Sequence, residues 1–206
     1  MISVEDFKTT KILIVGFGEI GRKITEKIKK DRLIGVDTVF IDSGVITLKY
    51  DETWQPDTLN GAEMIIIVFD AADTNEGLTY IAASARKKGI LVLGMAKRSF
   101  FPDIDEEKAC EEAIASGIDA LNIIYRDKVV EYYPGKQYIN QRYSAESCII
   151  RSIQQIVLVM NVPIVVNIDL ADLRGFLKKK GLMQLGYGYG RGENKAADAV
   201  AMAFDS

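Results

Sequence analysis

Histidine is absent from this chain of 206 residues. Its absence excludes a serine–histidine–aspartate triad, a cysteine–histidine pair, a histidine general base and most zinc sites. Any chemistry must therefore rely on carboxylates, backbone amides, a bound metal ion or the substrate itself. The spacing of the remaining ligand-type residues predicts no dedicated metal site.

Cysteine is nearly as scarce, because the chain has only Cys110 and Cys148, which have no ligand-like spacing. Free, buried thiols in a reducing compartment are the simplest interpretation. No apolar run reaches the length of a transmembrane helix, and the first residues lack the basic region of a signal peptide. We therefore expect a cytoplasmic protein without a transmembrane segment.

Positive charge is also in slight deficit, with 26 Lys and Arg against 29 Asp and Glu and a net charge of −3. This balance argues against a dedicated nucleic-acid partner, because nothing offsets the phosphate backbone. A hydrophobic content of 48% is enough for a substantial core. The length predicts one large domain, or one domain with a small appendage.

Short apolar runs alternate with longer amphipathic stretches along the first two thirds of the chain. The runs predict strands at 11–15, 37–41, 64–68, 90–94 and 120–124, with a short edge strand at 45–50. The stretches between them predict helices ending at 30 and spanning 74–88 and 105–116. Continuously apolar strands that alternate with helices are typical of a parallel sheet covered on both faces. We therefore predict an α/β, doubly wound, Rossmann-like fold with a mostly parallel sheet.

The last third begins with a strongly apolar helix at 143–160, which we expect to be buried between layers. An acidic loop follows it, and then a helix at 170–180, a strand at 182–187 and a helix at 193–204. These elements predict a short helix–strand–helix extension after a long central helix.

A glycine motif, Gly16-x-Gly18-x-x-Gly21, follows the first strand and opens the first helix. Backbone amides at such a turn favour a phosphate. Asp42 lies 21 residues after Gly21, just past the second strand, where it would accept a hydrogen bond from a ribose hydroxyl in the dinucleotide fingerprint. A tight strand-to-helix turn that binds nothing is the alternative.

A second motif, Asn167-x-Asp169-x-x-Asp172, opens the helix at 170–180. The two carboxylates fall on one face of this helix, near its positive end. They fit an acidic functional loop, and they equally fit an N-cap with a first-turn acid.

Residues 167–177 and 181–200 closely resemble the bacterial tubulin homologue FtsZ. The turn from Gly18 to Ile24 is similar to the phosphate-binding turns of tubulin and FtsZ. Weaker similarity covers 61–69, 88–100 and 112–124, and the helix at 143–160 resembles the family's central helix. The chain is thereby identified as a divergent member of the tubulin/FtsZ superfamily, with a nucleotide-binding domain at 1–160 and the acidic loop plus a partial second domain at 161–206.

This resemblance implies GTP or GDP, with Mg²⁺, bound between subunits that associate head to tail as a dimer or a cytoskeletal filament. Asn167 would contact the phosphate side of the neighbour's nucleotide, while Asp169 and Asp172 would orient the attacking water or hold a cation. The implied nucleotide-binding residues are Gly16, Gly18, Gly21, Lys23, Asp42, Thr74, Gly77 and Glu146.

The second phosphate loop departs from the family's Gly-Gly-Gly-Thr-Gly-(Ser/Thr)-Gly. Only Thr74 and Gly77 match within 71–77, and side chains replace the glycines that permit close approach. Asp70, Asp73 and Glu76 place negative charge near the expected phosphate, at a cost of about 1 kcal/mol or more unless a metal ion intervenes. Asp73 and Thr74 equally fit caps of the next helix.

The base site also departs from the family, because Arg126 stands where FtsZ has an asparagine and cannot accept a hydrogen bond. Glu146, beside Ser147, would replace the aspartate that reads guanine. The segment at 51–60 is too short to replace the family's helix and loop. Three hypotheses remain: a divergent GTPase, a structural pseudo-GTPase without turnover, and an NAD-type regulatory module that uses the first glycine motif and Asp42.

Overall fold

The computed structural model describes residues 9–42, 59–73, 76–99, 104–125, 144–163, 168–179, 181–186 and 188–205. The edge strand expected at 45–50, and the site residues Thr74, Arg126 and Asn167, lie outside these ranges.

Six strands form one sheet in the order β2-β1-β3-β4-β5-β6, and every neighbouring pair is parallel. The strands are β1 (Ile12–Phe17), β2 (Val36–Ile41), β3 (Met64–Asp70), β4 (Leu91–Arg98), β5 (Ala120–Tyr125) and β6 (Gly181–Met183). The helices are α1 (Gly18–Asp31), α2 (Glu76–Lys87), α3 (Ile104–Ser116), α4 (Ala145–Asn161), α5 (Leu170–Leu177) and α6 (Lys195–Asp205). The predicted doubly wound α/β fold is confirmed.

Apolar side chains from alternate strand positions point to opposite faces of the sheet and form two cores. On one face, Ile24 of α1 and Ile153 of α4 pack with Ile66 of the sheet. On the other face, Ala82 of α2 and Cys110 of α3 belong to the second core. Helices therefore cover both faces, as the continuously apolar strands predicted.

The long apolar helix α4 is buried along one side only. Ile149 and Ile153 are fully buried against the sheet, whereas Leu158 is 44% exposed. The expectation of burial between layers is therefore met on the sheet side and is wrong on the other side, where Leu158 faces solvent.

The last predicted strand is short and joins the main sheet. Only Gly181–Met183 is extended, and it pairs with β5 so that Ala120 lies opposite Gly181. The sheet thus continues past residue 160, and the division of the chain at that point stays a prediction.

The amino edge of the sheet is clamped by one buried amide, that of Asn161 at the end of α4. Its Oδ1 accepts from the backbone N–H of Thr10 at 2.8 Å, and its Nδ2 donates to the carbonyls of Thr10 at 3.0 Å and Ile34 at 2.7 Å. These bonds join the helix to the residues that precede β1 and β2. Buried backbone groups without such partners are costly, so this amide fixes where α4 ends.

The substitution Asn161→Ala should lower the free energy of unfolding by about 2–4 kcal/mol, because it leaves the buried backbone N–H and C=O of Thr10 without hydrogen-bond partners. Urea denaturation measures this change, provided that the dependence of the unfolding free energy on urea concentration is the same in both proteins. The control Gln155→Ala, at an exposed position on the same helix, should stay within about 0.5 kcal/mol of the parent. Equal stability of the two variants would contradict the clamp.

Candidate functional site

The carboxyl ends of β1 and β3 border the point where the strand order reverses. From β1 the chain passes to β2 on one side, and β3, β4 and β5 build the sheet on the other side. In open parallel sheets, ligands bind in the crevice at such a switch point. The glycine turn follows β1 and the short 3₁₀ helix Ala71–Asp73 follows β3, so both line this crevice.

The three motif glycines form one turn, and each has a distinct role. A side chain on Gly16 would collide with the backbone of Gly21, and one on Gly21 would collide with the backbone of Gly16. Helix α1 therefore packs directly on the end of β1. Gly18 has a φ of +63°, a left-handed conformation that favours glycine.

Helix α1 begins at this turn without a side-chain cap. Phe17, the residue before the helix, makes no capping hydrogen bond through its side chain. The first turn of a helix carries a partial positive charge and N–H groups that suit an anion. These features are compatible with the predicted anion site, which stays a prediction.

A carboxylate of the protein itself lies against this turn. The position of a Cβ on Gly18 would be only 2.5 Å from Oδ2 of Asp73. Asp73 therefore fills the space that the missing side chain of Gly18 leaves open. Of the acidic residues expected near the phosphate, Asp73 lies beside the glycine turn.

An ion pair bridges the next two strands at the same edge. Lys97 Nζ lies 2.5 Å from Asp70 Oδ2, and both side chains are about one fifth exposed. Asp70 also accepts a hydrogen bond from the backbone of Ala72 at 3.2 Å. The pair joins β3 to β4 where β4 continues through Lys97 and Arg98, beyond the apolar run that predicted a strand only to residue 94.

Lys23 is engaged on the surface of α1. Its Nζ lies 2.8 Å from Glu19 Oε1, and both side chains are more than half exposed. This contact lowers the pKa of Glu19 and raises the pKa of Lys23, to which the charge of Glu146 adds a smaller contribution. Glu146 lies in the first turn of α4.

The other described candidates occupy different positions along this edge. Asp42 is exposed directly after β2, and Gly77 is buried in the first turn of α2. Neither position alone defines a ligand contact. Among the residues that the structure describes, no cluster of acidic, cysteine or histidine side chains fits a metal ion.

A buried charged cluster at the end of β4 has no signal in the local sequence pattern. Arg98 and Glu106 are 7% and 4% exposed, and Arg98 Nε lies 3.9 Å from Glu106 Oε2. Glu106 also accepts from the backbone N–H of Ser99 at 3.0 Å, and the Arg98 guanidinium lies 5.4 Å from the ring centre of Tyr125. Arg98 and Tyr125 are register partners, a tertiary pairing that no local pattern reveals.

The acidic motif forms a reciprocal cap at the start of α5. Asp169 Oδ1 accepts from the backbone N–H of Asp172 at 2.8 Å, and Asp172 Oδ2 accepts from the backbone N–H of Asp169 at 3.2 Å. The capping interpretation is therefore correct for the described part of the motif. Both side chains are exposed, so each carboxylate also faces the surroundings.

Helix α5 lies at the edge of the sheet opposite the glycine turn. Arg174 donates to the carbonyl of Gly89, which precedes β4, at 2.6 Å. The backbone N–H of Lys179 donates to Oδ1 of Asp119, which precedes β5, at 3.3 Å. Six residues of β1 separate the two edges, a length of roughly 20 Å at the usual rise of a strand.

The switch-point crevice and the glycine turn define a doubly wound α/β protein of Rossmann-like type. No protein-family model matches the chain. A 131-residue segment, 61% of this chain, is 32% identical to the cell division protein FtsZ of Aquifex aeolicus and spans 36% of that protein.

Solved structures agree with this match. A mutant FtsZ of M. jannaschii has a TM-score of 0.72 at 20% identity, with 96% of this chain and 71% of that chain covered. An empty FtsZ dimer of M. jannaschii has a TM-score of 0.72 at 19% identity, covering 98% of this chain and 70% of that one. TubZ of Bacillus thuringiensis serovar israelensis, in GDP-form protofilaments, has a TM-score of 0.57 at 10% identity. The match covers 99% of this chain and 67% of the TubZ chain. The chain therefore resembles FtsZ in sequence over part of its length, and its fold is that of the FtsZ and TubZ structures.

Removing the charge of Glu106 should leave Arg98 buried without its counter-charge. We expect Glu106→Gln to cost about 3–5 kcal/mol of folding free energy, the usual range for breaking a buried pair from one side. Chemical denaturation measures the change, with Glu107→Gln, at an exposed neighbouring position on α3, as the matched control. A loss below about 1 kcal/mol would show that solvent screens this pair.

Proposed function

We propose that this chain is a nucleotide-binding protein of the tubulin/FtsZ type. It takes GTP or GDP, with Mg²⁺, in the crevice between the carboxyl ends of β1 and β3. The supporting features are the uncapped first turn of α1, the close packing of Gly16 on Gly21, and the left-handed Gly18. The names of the matched proteins include FtsZ and a GDP-form TubZ, which favours a guanine nucleotide.

One observation carries the functional proposal: the glycine turn and the acidic motif lie at opposite edges of the sheet. Arg174 and Lys179 tie α5 to the amino edge, so Asp169 and Asp172 cannot reach the crevice of their own copy. Two copies stacked head to tail would bring the acidic motif of one onto the glycine turn of the other. The catalytic roles proposed for Asn167, Asp169 and Asp172 therefore require self-association.

Exposed apolar side chains on the elements that follow α4 support this association. Phe176 of α5 is 73% exposed, Leu182 of β6 is 62% exposed and Phe204 of α6 is 85% exposed. Large apolar side chains left exposed are typical of a surface that meets a partner. The matched structures include an FtsZ dimer and TubZ protofilaments, which are assemblies of those proteins.

Phosphoryl transfer suits a chain without histidine, because it depends on positioning and charge more than on a strong base. The structural pseudo-GTPase remains a second candidate, and the carboxylate of Asp73 against Gly18 is the observation that favours it. The NAD-type module is a third, with Asp42 as the ribose acceptor.

A cytoplasmic location belongs to the same proposal. Cys110 and Cys148 are both free thiols, and burial raises the pKa of each. None of the described helices combines the length and apolar character that crossing a membrane requires. We propose no nucleic-acid partner, in keeping with the net charge of −3.

A thermal-shift titration with GDP, GTP, ATP and NADH in the presence of Mg²⁺ tests the ligand. Binding to the folded state alone should add about 2.7 kcal/mol of stability at a hundredfold excess over the dissociation constant. We expect stabilisation by the guanine nucleotides. Stabilisation by NADH alone would establish the dinucleotide alternative, and no stabilisation by any of them would leave the pseudo-GTPase.

Turnover should depend on Asp172 of the neighbouring copy. Asp172→Asn keeps an oxygen that can accept from the N–H of Asp169, and removes the charge. We expect GTP hydrolysis to fall at least about 100-fold while nucleotide affinity of the isolated copy stays unchanged. Asp198→Asn, the same change in the first turn of α6, should retain full turnover.

Asp172→Ala tests the cap and the charge together. It should match Asp172→Asn in turnover and lose about 1 kcal/mol more stability, because it also breaks the reciprocal cap. Collapse of nucleotide binding by the isolated copy, in either variant, would contradict the role between copies.

A further inference from the structure

Asp73 occupies the space that a glycine motif reserves for its ligand. In such motifs the second glycine lets a phosphate approach the backbone, and the third packs the helix on the strand. Gly21 packs on Gly16 in this way, whereas the space beside Gly18 contains Oδ2 of Asp73. The turn is therefore built for an anion and already has a carboxylate beside it.

Lys97 of β4 does not offset the negative charge of Asp73. Lys97 lies at the carboxyl end of β4, opposite Asp70 of β3. Its ammonium, however, contacts Asp70 at 2.5 Å. A phosphate entering the crevice would meet Asp73 at the turn and a lysine that another carboxylate already neutralises.

We propose that Asp73 is a specificity-determining residue that excludes free anions from the glycine turn and admits a phosphate only with a divalent cation. The cation would lie between the carboxylate of Asp73 and the phosphate and offset the repulsion between them. Oxygen ligands of this kind suit Mg²⁺, which commonly binds through one or two carboxylates and substrate phosphates. This inference rests on the proposed nucleotide site.

Among the described residues, the crevice lacks a complete set of ligands for a metal ion. No cluster of three acidic, cysteine or histidine side chains occurs within the described ranges, so a cation would need ligands from the phosphate. Metal and phosphate would then bind together, each weakly in the absence of the other. Affinity for a nucleotide should consequently depend on Mg²⁺ far more than at a glycine loop without an acid.

Isothermal titration of the full chain with GDP and with inorganic pyrophosphate, in Mg²⁺ and in EDTA, tests this dependence. We expect the parent protein to bind at least about tenfold more weakly in EDTA. Asp73→Asn keeps the shape of the side chain and removes its charge, so it should regain about tenfold in EDTA and lose most of the metal dependence. Asp105→Asn, an exposed acid at the start of α3, should behave as the parent does.

The outcomes separate this inference from the proposed function. Equal binding of GDP by the parent in Mg²⁺ and in EDTA, unchanged in Asp73→Asn, would overturn the role of Asp73 and leave the nucleotide site standing. Metal-free pyrophosphate bound by Asp73→Asn, without any nucleotide binding, would support the role of Asp73 and refute the nucleotide. No binding by folded parent or variant, in either condition, would overturn both.

Discussion

Every strand of this sheet runs in the same direction, so all carboxyl ends lie at one edge and all amino ends at the other. Because of this constraint, each polar residue of interest lies either at the carboxyl ends or at the amino ends of the strands. The glycine turn and Asp73 come at or just after the end of a strand, and Asp70 and Lys97 are among the last residues of β3 and β4, so all of them lie at the carboxyl edge. The bonds of Asn161, Arg174 and Lys179 reach residues that precede strands and fix the amino edge.

The separation of the edges links the fold to association between copies. A rigid sheet of hydrogen-bonded strands cannot bend to bring its two ends together, so a site that needs both ends needs two molecules. The exposed apolar side chains of α5, β6 and α6 fit a surface that contacts a second copy. Fold, exposed apolar residues and acidic motif therefore support one interpretation.

Charge at the carboxyl edge is balanced in local pairs. Asp70 forms an ion pair with Lys97, Glu106 with Arg98, and Glu19 with Lys23. Asp73 differs, because it lies beside the positive end of α1 and the left-handed Gly18. The crevice thus combines a backbone suited to an anion with carboxylate side chains that oppose one.

Much of the architecture could be predicted from local patterns. Continuously apolar runs such as 64–68 and 120–124 indicated buried parallel strands, and the glycine spacing indicated the strand-to-helix turn. Several boundaries differ from the prediction. β4 extends to Arg98, because its last residues still pair with β3 and β5, whereas α5 ends at Leu177 and β6 at Met183.

The sequence by itself determined the elements, the parallel class of sheet and the identity of the acidic motif, because these depend on periodicity and on neighbours along the chain. Only the tertiary structure decided that Asp73 lies against Gly18, that Arg98 and Glu106 are buried together, and that α5 lies opposite the glycine turn. Those facts join residues from 8 to 85 positions apart in the printed numbering, and they depend on strand order and register, which no local pattern encodes.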